Sequence, residues 1–318
     1  MKRFKNILLV CDEETLDETQ VERAIWLAKA NGARVSLVQV LETAPGELAR
    51  LIGAMPGGGS RDVEADLLKS YKEGLAKQAE PFRAAGIDTS ETLLQGISFI
   101  EIVRQVLRAD HDLVMKRAGG SREGTSVFFA STDLHLMRKC PCPVWIMNPS
   151  PRPRYNRILA AINPDPSNAQ RYALNRLVLD LATSLSAADG SELQVVHAWQ
   201  LEEEESLRKS AFARVPKRQI QALVDAHEAE CLKQMEQVLA GYSGLEIGKQ
   251  VKMLPGHART AIPEFAEAQQ VELIIMGTVG RTGVRGLIIG NTAEAILNQV
   301  HCAVMAVKPP GFQTPIEV

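Results

Sequence analysis

Three glycines at fixed spacing, Gly277-x2-Gly280-x9-Gly290, are the residues of this chain best suited to bind a ligand. They follow an apolar run, 273–276, that is typical of a buried strand, and they precede a run, 293–300, with helical periodicity. Glycines let a backbone approach an anion closely, and the free amides that open a helix can donate to it. The spacing predicts a phosphate-binding loop, although the same glycines also suit a plain strand-to-helix turn.

Other chemistries are poorly supported. The six histidines show no paired spacing such as His-x3-His, so no metal site is expected. Neither a Gly-x-Ser-x-Gly nucleophile elbow nor a Gly-Lys-Ser/Thr phosphate loop occurs. Cys140-Pro141-Cys142 is too short to make a zinc site alone, and Cys142 and Cys302 are interpreted as small buried residues before a strand.

Composition limits the class of protein. The 318 residues suffice for about two ordinary domains. A net charge of −2 argues against a nucleic-acid partner, and no apolar run approaches the length of a membrane span. Five cysteines without framework spacing fit free thiols in a reducing compartment, so a cytoplasmic location is expected.

The chain contains an internal repeat. Residues 94–149 align without a gap with 254–309 at an offset of 160, whereas Ile7 aligns with Ile158 at an offset of 151. The second copy therefore has nine extra residues, and the long period indicates duplicated domains. Prolines in 148–154 mark a linker. We predict a first half (1–149), a second half (155–310) and a tail (311–318).

Each half alternates short apolar strands with amphipathic helices, which predicts a doubly wound parallel α/β sheet with its ligand crevice at the strands' carboxyl ends. The loops after the first and fourth strands are expected to flank this crevice if the strand order reverses between them. Strands are predicted at 6–11, 34–41, 88–95, 112–116, 143–148, 157–162, 192–199, 246–253, 271–276 and 303–308. Helices are predicted at 19–31, 62–85, 97–109, 132–139, 168–186, 216–240, 257–270 and 291–300.

The glycine spacing matches G-x2-G-x9-G-(S/T), the nucleotide-binding signature of the universal stress protein family, and the whole chain resembles two such domains in tandem. The resemblance implies two adenine nucleotide alpha hydrolase-like domains, each with a five-stranded parallel sheet in the order 3-2-1-4-5. It also implies pairing of domains through their last strands. A tandem protein can make this pairing within one chain, and a homodimer of such chains is compatible with it.

The resemblance also implies a nucleotide site in the second half. The position near the adenine or ribose, acidic in the family, is Asn163 here and Asp12 in the first half, and the Ser/Thr position after the third glycine is Asn291. Arg281 can bind a phosphate in a forked geometry, or else be a solvated loop residue. The candidate residues are Ile162, Asn163, Met276, Gly277, Gly280, Arg281, Gly290, Asn291 and Thr292.

The first half departs from the signature. Arg117 and Ala130 align with Gly277 and Gly290, and Lys116 aligns with Met276. A Cβ at the glycine positions is expected to push the backbone away from a phosphate or to forbid a positive φ. Ser131 and Thr132 remain as a helix N-cap. The first half is predicted to have lost nucleotide binding.

Together these features suggest a non-enzymatic stress-response protein that binds ATP, a related nucleotide or another phosphate-bearing small molecule. One alternative is an interaction scaffold without a nucleotide, which Asn163 and Asn291 favour. Another is a protein that binds an amphipathic ligand beside the long helices 62–85 and 216–240. Slow ATP hydrolysis is less favoured, since no general base or magnesium-ligating pair lies near the loop.

Overall fold

The computed structural model describes residues 3–11, 17–42, 60–119, 129–201, 204, 216–278 and 290–318. The elements of the first half are β1 (Asn6–Val10), α1 (Glu18–Asn31), β2 (Arg34–Leu41), α2 (Ser60–Ala84), β3 (Thr89–Gln95), α3 (Ser98–Ala109), β4 (Leu113–Arg117), α4 (Ser131–Lys139) and β5 (Val144–Met147). Those of the second half are β6 (Arg157–Ala161), α5 (Ala169–Asp189), β7 (Glu192–Trp199), α6 (Lys217–Leu239), β8 (Val251–Pro255), α7 (Ala258–Ala268), β9 (Leu273–Gly277), α8 (Asn291–Leu297) and β10 (Ala303–Val307).

All ten strands form one sheet, in the order β3-β2-β1-β4-β5-β10-β9-β6-β7-β8. Each half thus has the predicted order 3-2-1-4-5, with parallel pairing inside the half. The halves meet where β5 and β10 pair antiparallel, with Ile146 opposite Val304 and Val144 opposite Ala306. The chain therefore pairs its own last strands, as the resemblance implied.

The core lies on both faces of this sheet. Side chains alternate along each strand, so Ile7 and Leu9 of β1 enter one apolar cluster while Leu8 and Val10 enter the other. The first cluster packs against α1, α2, α5 and α6, and the second against α3, α4, α7 and α8. Because each cluster contains residues of both halves, the fold is a continuous three-layer α/β/α structure.

The second half differs from the predicted boundaries at its third strand. Instead of 246–253, β8 spans Val251–Pro255, because residues before it form a turn in which Gly248 has a φ of +87° and its amide donates to Val251 O at 2.9 Å. When the repeat offset of 160 is added to the residue numbers of β3, the result, 249–255, agrees with β8 better than the predicted range does. The other ends differ by a few residues; for example, α5 continues to Asp189 and α8 ends at Leu297.

Most of the nine extra residues lie in one helix. The first helix of the second half, α5, has 21 residues, and its counterpart α1 has 14. Both begin at a side-chain cap, Asp17 or Asn168, and both end at a left-handed glycine, Gly32 or Gly190. The insertion therefore makes α5 seven residues longer than α1, while both helices keep the same two types of cap.

Candidate functional site

The crevice of the second half lies between β6 and β9, where the strand order reverses. Ala161 pairs with Met276, so the chain leaving β6 at Ile162 and Asn163 comes beside Gly277 at the end of β9. Met276 is buried, and α8 begins with the exposed residues Asn291 and Thr292. Gly280 and Arg281 lie outside the described residues.

Asn163 is held in place by a side chain that the sequence analysis missed. The Asn163 amide donates to Asn175 Oδ1 at 3.1 Å, and Asn175 Nδ2 donates to the Asn163 carbonyl at 2.7 Å. Asn175 lies on α5 and is 5% exposed. The sequence signal that could have identified Asn175 is a polar residue close to the buried apolar positions Leu174 and Val178. Both backbone groups of Asn163 are therefore fixed, and the residue itself is exposed.

The residue before it is fixed by the neighbouring strand. The Ile162 amide donates to Val196 O at 3.0 Å, and His197 Nδ1 lies 3.3 Å from the Ile162 carbonyl. Burial lowers the pKa of His197, which favours a neutral ring that can donate this hydrogen bond. The turn after β6 therefore starts from a rigid strand end.

Gly277 and Gly290 stand at the two ends of the signature loop. Neither is there to allow a positive φ, which was one of the two reasons expected for these glycines. Neither Gly277 nor Gly290 has a positive φ, and Gly290 has a φ of −58°. A Cβ on Gly277 would lie 2.6 Å from Leu174 Cδ2, so α5 packs directly over the end of β9. The Gly290 amide donates to Thr278 O at 3.0 Å and closes the loop by a backbone hydrogen bond.

The matching place in the first half contains a buried ion pair. Lys116 Nζ, at the end of β4, lies 3.1 Å from Asp133 Oδ1, and the two side chains are 6% and 0% exposed. Asp133 Oδ2 accepts from the amides of Gly119 and Ala130, both at 2.9 Å. Asp133 thus ties together the two ends of the first-half loop.

This arrangement corrects the expected cap of α4. Ala130 occupies the N-cap position, and Ser131 and Thr132 are already inside the helix. The side chain that serves the helix start is Asp133, in its first turn, which accepts from the N-cap amide. Asp133 was missed because its aligned residue is Ala293 and no pattern connects it with Lys116.

A buried lysine connects the second-half crevice to the first half. Lys308 Nζ donates to Met137 O of α4 at 2.6 Å and to Thr278 Oγ1, and the Thr278 hydroxyl lies 3.2 Å from the same carbonyl. Burial lowers the pKa of Lys308 to about 7. Since Thr278 O also accepts from Gly290, the loop end is joined to helix α4 through Thr278 and Lys308.

Two further features of the described residues bear on function. No group of three or more histidine, cysteine or acidic side chains is placed to hold a metal ion in that part of the chain. Among the described helices, none combines the length and hydropathy needed to cross a bilayer.

Comparison with known proteins places the chain in a family. The model of the universal stress protein family matches residues 3–148 and again 154–308. The chain is 27% identical to universal stress protein E of Salmonella typhi over 320 residues, covering 100% of this chain and 98% of the relative. Its counterpart from Escherichia coli K12 is 26% identical at the same coverage.

A solved structure shows the same fold. A putative universal stress protein from Pseudomonas aeruginosa UCBPP-PA14 superposes with a TM-score of 0.72 at 21% identity, covering 97% of this chain and 94% of that one. The two family matches together span nearly the whole chain. The chain therefore belongs to the universal stress protein family and carries two family domains in one polypeptide.

Proposed function

We propose that this protein is a non-enzymatic stress-response protein whose second half binds ATP or a related nucleotide in the crevice between β6 and β9. The first half takes no nucleotide and serves as the paired domain. In this proposal the degenerate domain of the chain spans 1–149, the binding domain spans 155–310, and the tail covers 311–318.

The contrast between the two loops carries this proposal. In the first half, Asp133 and Lys116 place a carboxylate and an ammonium group at the loop ends. In the second half the aligned residues, Ala293 and Met276, have no ionisable group, and among the described residues the Gly290 amide joins the two loop ends by donating to Thr278 O. These two positions of the second half therefore carry no carboxylate that would repel a bound anion.

The proposed contacts divide between the base and the phosphates. Asn163, oriented by Asn175, and the buried Ile162 lie at the end of β6, where they support binding of the adenine or ribose. Asn163 is an amide, which can both donate and accept a hydrogen bond to a ribose hydroxyl. The phosphates are assigned to the loop residues Met276, Gly277, Gly280, Arg281, Gly290, Asn291 and Thr292.

Thermal unfolding with ATP, ADP, AMP and a UDP-sugar tests the proposal. A nucleotide present at 100 times its Kd adds about 2.7 kcal/mol to the free energy of unfolding. We expect an adenine nucleotide to raise the Tm of the full chain. If none of the four raises the Tm and the purified protein carries no nucleotide, the proposal is wrong and the scaffold alternative stands.

The position of the site is tested by Gly290→Ala and Gly290→Val. The first half has Ala130 at the aligned N-cap, so alanine is compatible with this helix start and the ligand-free Tm should stay close to wild type. The larger Gly290→Val is expected to abolish the nucleotide-induced shift. A full shift in Gly290→Val would place the ligand elsewhere.

A further inference from the structure

Two thiols lie side by side between α4 and β5. The Sγ atoms of Cys140 and Cys142 are 3.6 Å apart. Cys140 is fully buried at the end of α4, where its amide donates to Leu136 O at 2.9 Å, while Cys142 is partly exposed. This corrects the interpretation of Cys142 and Cys302 as buried residues, since both are partly exposed.

We propose that Cys140 and Cys142 form a redox-active dithiol that a low-molecular-weight disulfide, such as glutathione disulfide, converts to an intramolecular disulfide. A disulfide bond is about 2 Å long, so the sulfurs need to approach by about 1.6 Å. Both residues lie where a helix has ended and a strand has not begun, so side-chain rotation and a small backbone adjustment can supply this movement. Proposed nucleotide binding plays no part in the reaction.

The exchange takes two steps. The thiolate of Cys142, the more accessible residue, attacks one sulfur of glutathione disulfide, which forms a mixed disulfide and releases one glutathione thiolate. Cys140 then loses its proton to solvent and attacks the Cys142 sulfur, which releases the second glutathione. In total, two protein thiols are oxidised to one disulfide, and one glutathione disulfide is reduced to two glutathiones.

The surroundings of Cys142 predict how this reaction depends on pH. The hydrogen bond with Cys140 is the main cause that raises the pKa of Cys142 well above its usual value, followed by burial and by the negative charges of Cys140 and Asp112. Only a small fraction is thiolate at neutral pH, so the reaction is slow there. Its rate should rise about tenfold per pH unit while the pH stays below this pKa.

The second half supplies the matched controls. Val300 and Cys302 align with Cys140 and Cys142 at the offset of 160, so that half has one thiol where the first half has two. Cys140→Val therefore reproduces an arrangement that the chain already tolerates, and Cys302 in the same molecule acts as a single-thiol reference.

The test is mass spectrometry of the full-length folded protein after incubation with glutathione disulfide, followed by alkylation and trypsin digestion. Cleavage after Lys139 and Arg154 yields the peptide 140–154, which contains both cysteines and no other. We expect this peptide to lose two hydrogens and carry no glutathione. In Cys140→Val, the same peptide should keep a glutathione adduct on Cys142.

Two results would overturn the inference. One is a wild-type peptide 140–154 in which both thiols stay alkylatable at pH 9 while Cys302 becomes glutathionylated. The other is a glutathione adduct that persists on wild-type Cys142, since that shows that Cys140 does not resolve it. Far-UV circular dichroism of Cys140→Val verifies that the variant is folded before either comparison is made.

Discussion

The two halves close equivalent loops by different means. The first half uses the carboxylate of Asp133, which joins the Gly119 and Ala130 amides and pairs with Lys116. In the part of the second-half loop that the structure describes, the Gly290 amide donates to Thr278 O. The chain itself makes both closures, and in the first half it uses a buried carboxylate to do so. The same fold can thus serve as a structural partner in one copy and as the proposed binding domain in the other.

Breaking the first-half ion pair should have the largest effect. Asp133→Ala removes the carboxylate that pairs with the buried Lys116 and that accepts from two amides, so we expect a loss of about 3–5 kcal/mol in the free energy of unfolding. Urea denaturation measures the loss.

The double variant Lys116→Met, Asp133→Ala is the control, because it installs the second-half residues Met276 and Ala293. It should recover more than half of the lost stability. If it is as unstable as Asp133→Ala alone, the charge of Lys116 is not the cause, and the loss belongs to the unsatisfied amides.

The next largest loss of stability is expected from a change at the contact between Gly277 and Leu174. Gly277→Ala puts a Cβ 2.6 Å from Leu174 Cδ2, and overpacking of this kind should cost about 1–3 kcal/mol. Gly74→Ala is the control for glycine replacement itself: no atom lies within 4 Å of a Cβ there, so this change in α2 should stabilise the protein by about 0.5–1 kcal/mol.

A double-mutant cycle with Leu174→Ala tests the cause. The two substitutions should be non-additive, since the smaller side chain removes the clash. Additive losses would show that Gly277 is needed for another reason.

Lys308 should make stability depend on pH, whereas its first-half counterpart Asn148 cannot titrate. The pKa of Lys308 is about 7 in the folded protein because of burial, and about 10.4 in an unfolded chain. Between these values the unfolded chain binds more protons at this residue, so the free energy of unfolding should rise with pH by up to about 1.4 kcal/mol per pH unit.

The groups that face Lys308 Nζ are the Met137 carbonyl, the Thr278 hydroxyl, the Phe312 ring at 5.1 Å and the thiol of Cys140. Comparison of wild type with Lys308→Asn by denaturation between pH 7 and 9 isolates the lysine, since both proteins keep their cysteines. Parallel curves for the two proteins would contradict the prediction.

The smallest effect is expected from Asn175→Ala. The variant loses two hydrogen bonds to the backbone of Asn163, a residue that is exposed overall, so the cost should be about 1 kcal/mol. The aligned residue in α1 is Ala24, so the first half already lacks this contact. Nucleotide affinity, measured by calorimetry, should fall by more than stability does. Unchanged affinity would remove Asn163 from the proposed site.

The sequence predicted the fold well because its signals are repeated along the chain. Two copies of one strand–helix pattern predicted a doubly wound parallel sheet, and the family resemblance implied the strand order and the pairing of β5 with β10. The shift of β8 was missed because the residues before it are compatible with a strand until Gly248 adopts a positive φ. The repeat offset of 160 applied to the observed β3 gives 249–255, which is closer to β8 than the predicted 246–253.

The sites were harder to predict because they depend on residues far apart in sequence. Asp133 lies seventeen positions after Lys116, and Lys308 meets Met137 across the two halves. No local pattern connects such residues. The need for glycine at 277 could not be predicted either. A Cβ there would clash with Leu174, which lies on a helix about a hundred residues earlier in the chain.

The antiparallel pair β5–β10 also bears on how binding would be regulated. In a symmetric homodimer joined through its last strands, any substitution appears in both sites at once. Here the two partners are encoded separately within one polypeptide, so each can accumulate changes of its own. With one proposed site per chain, saturation of independent chains should follow a simple hyperbola with a Hill coefficient of one, and occupancy would report ligand concentration in a graded way.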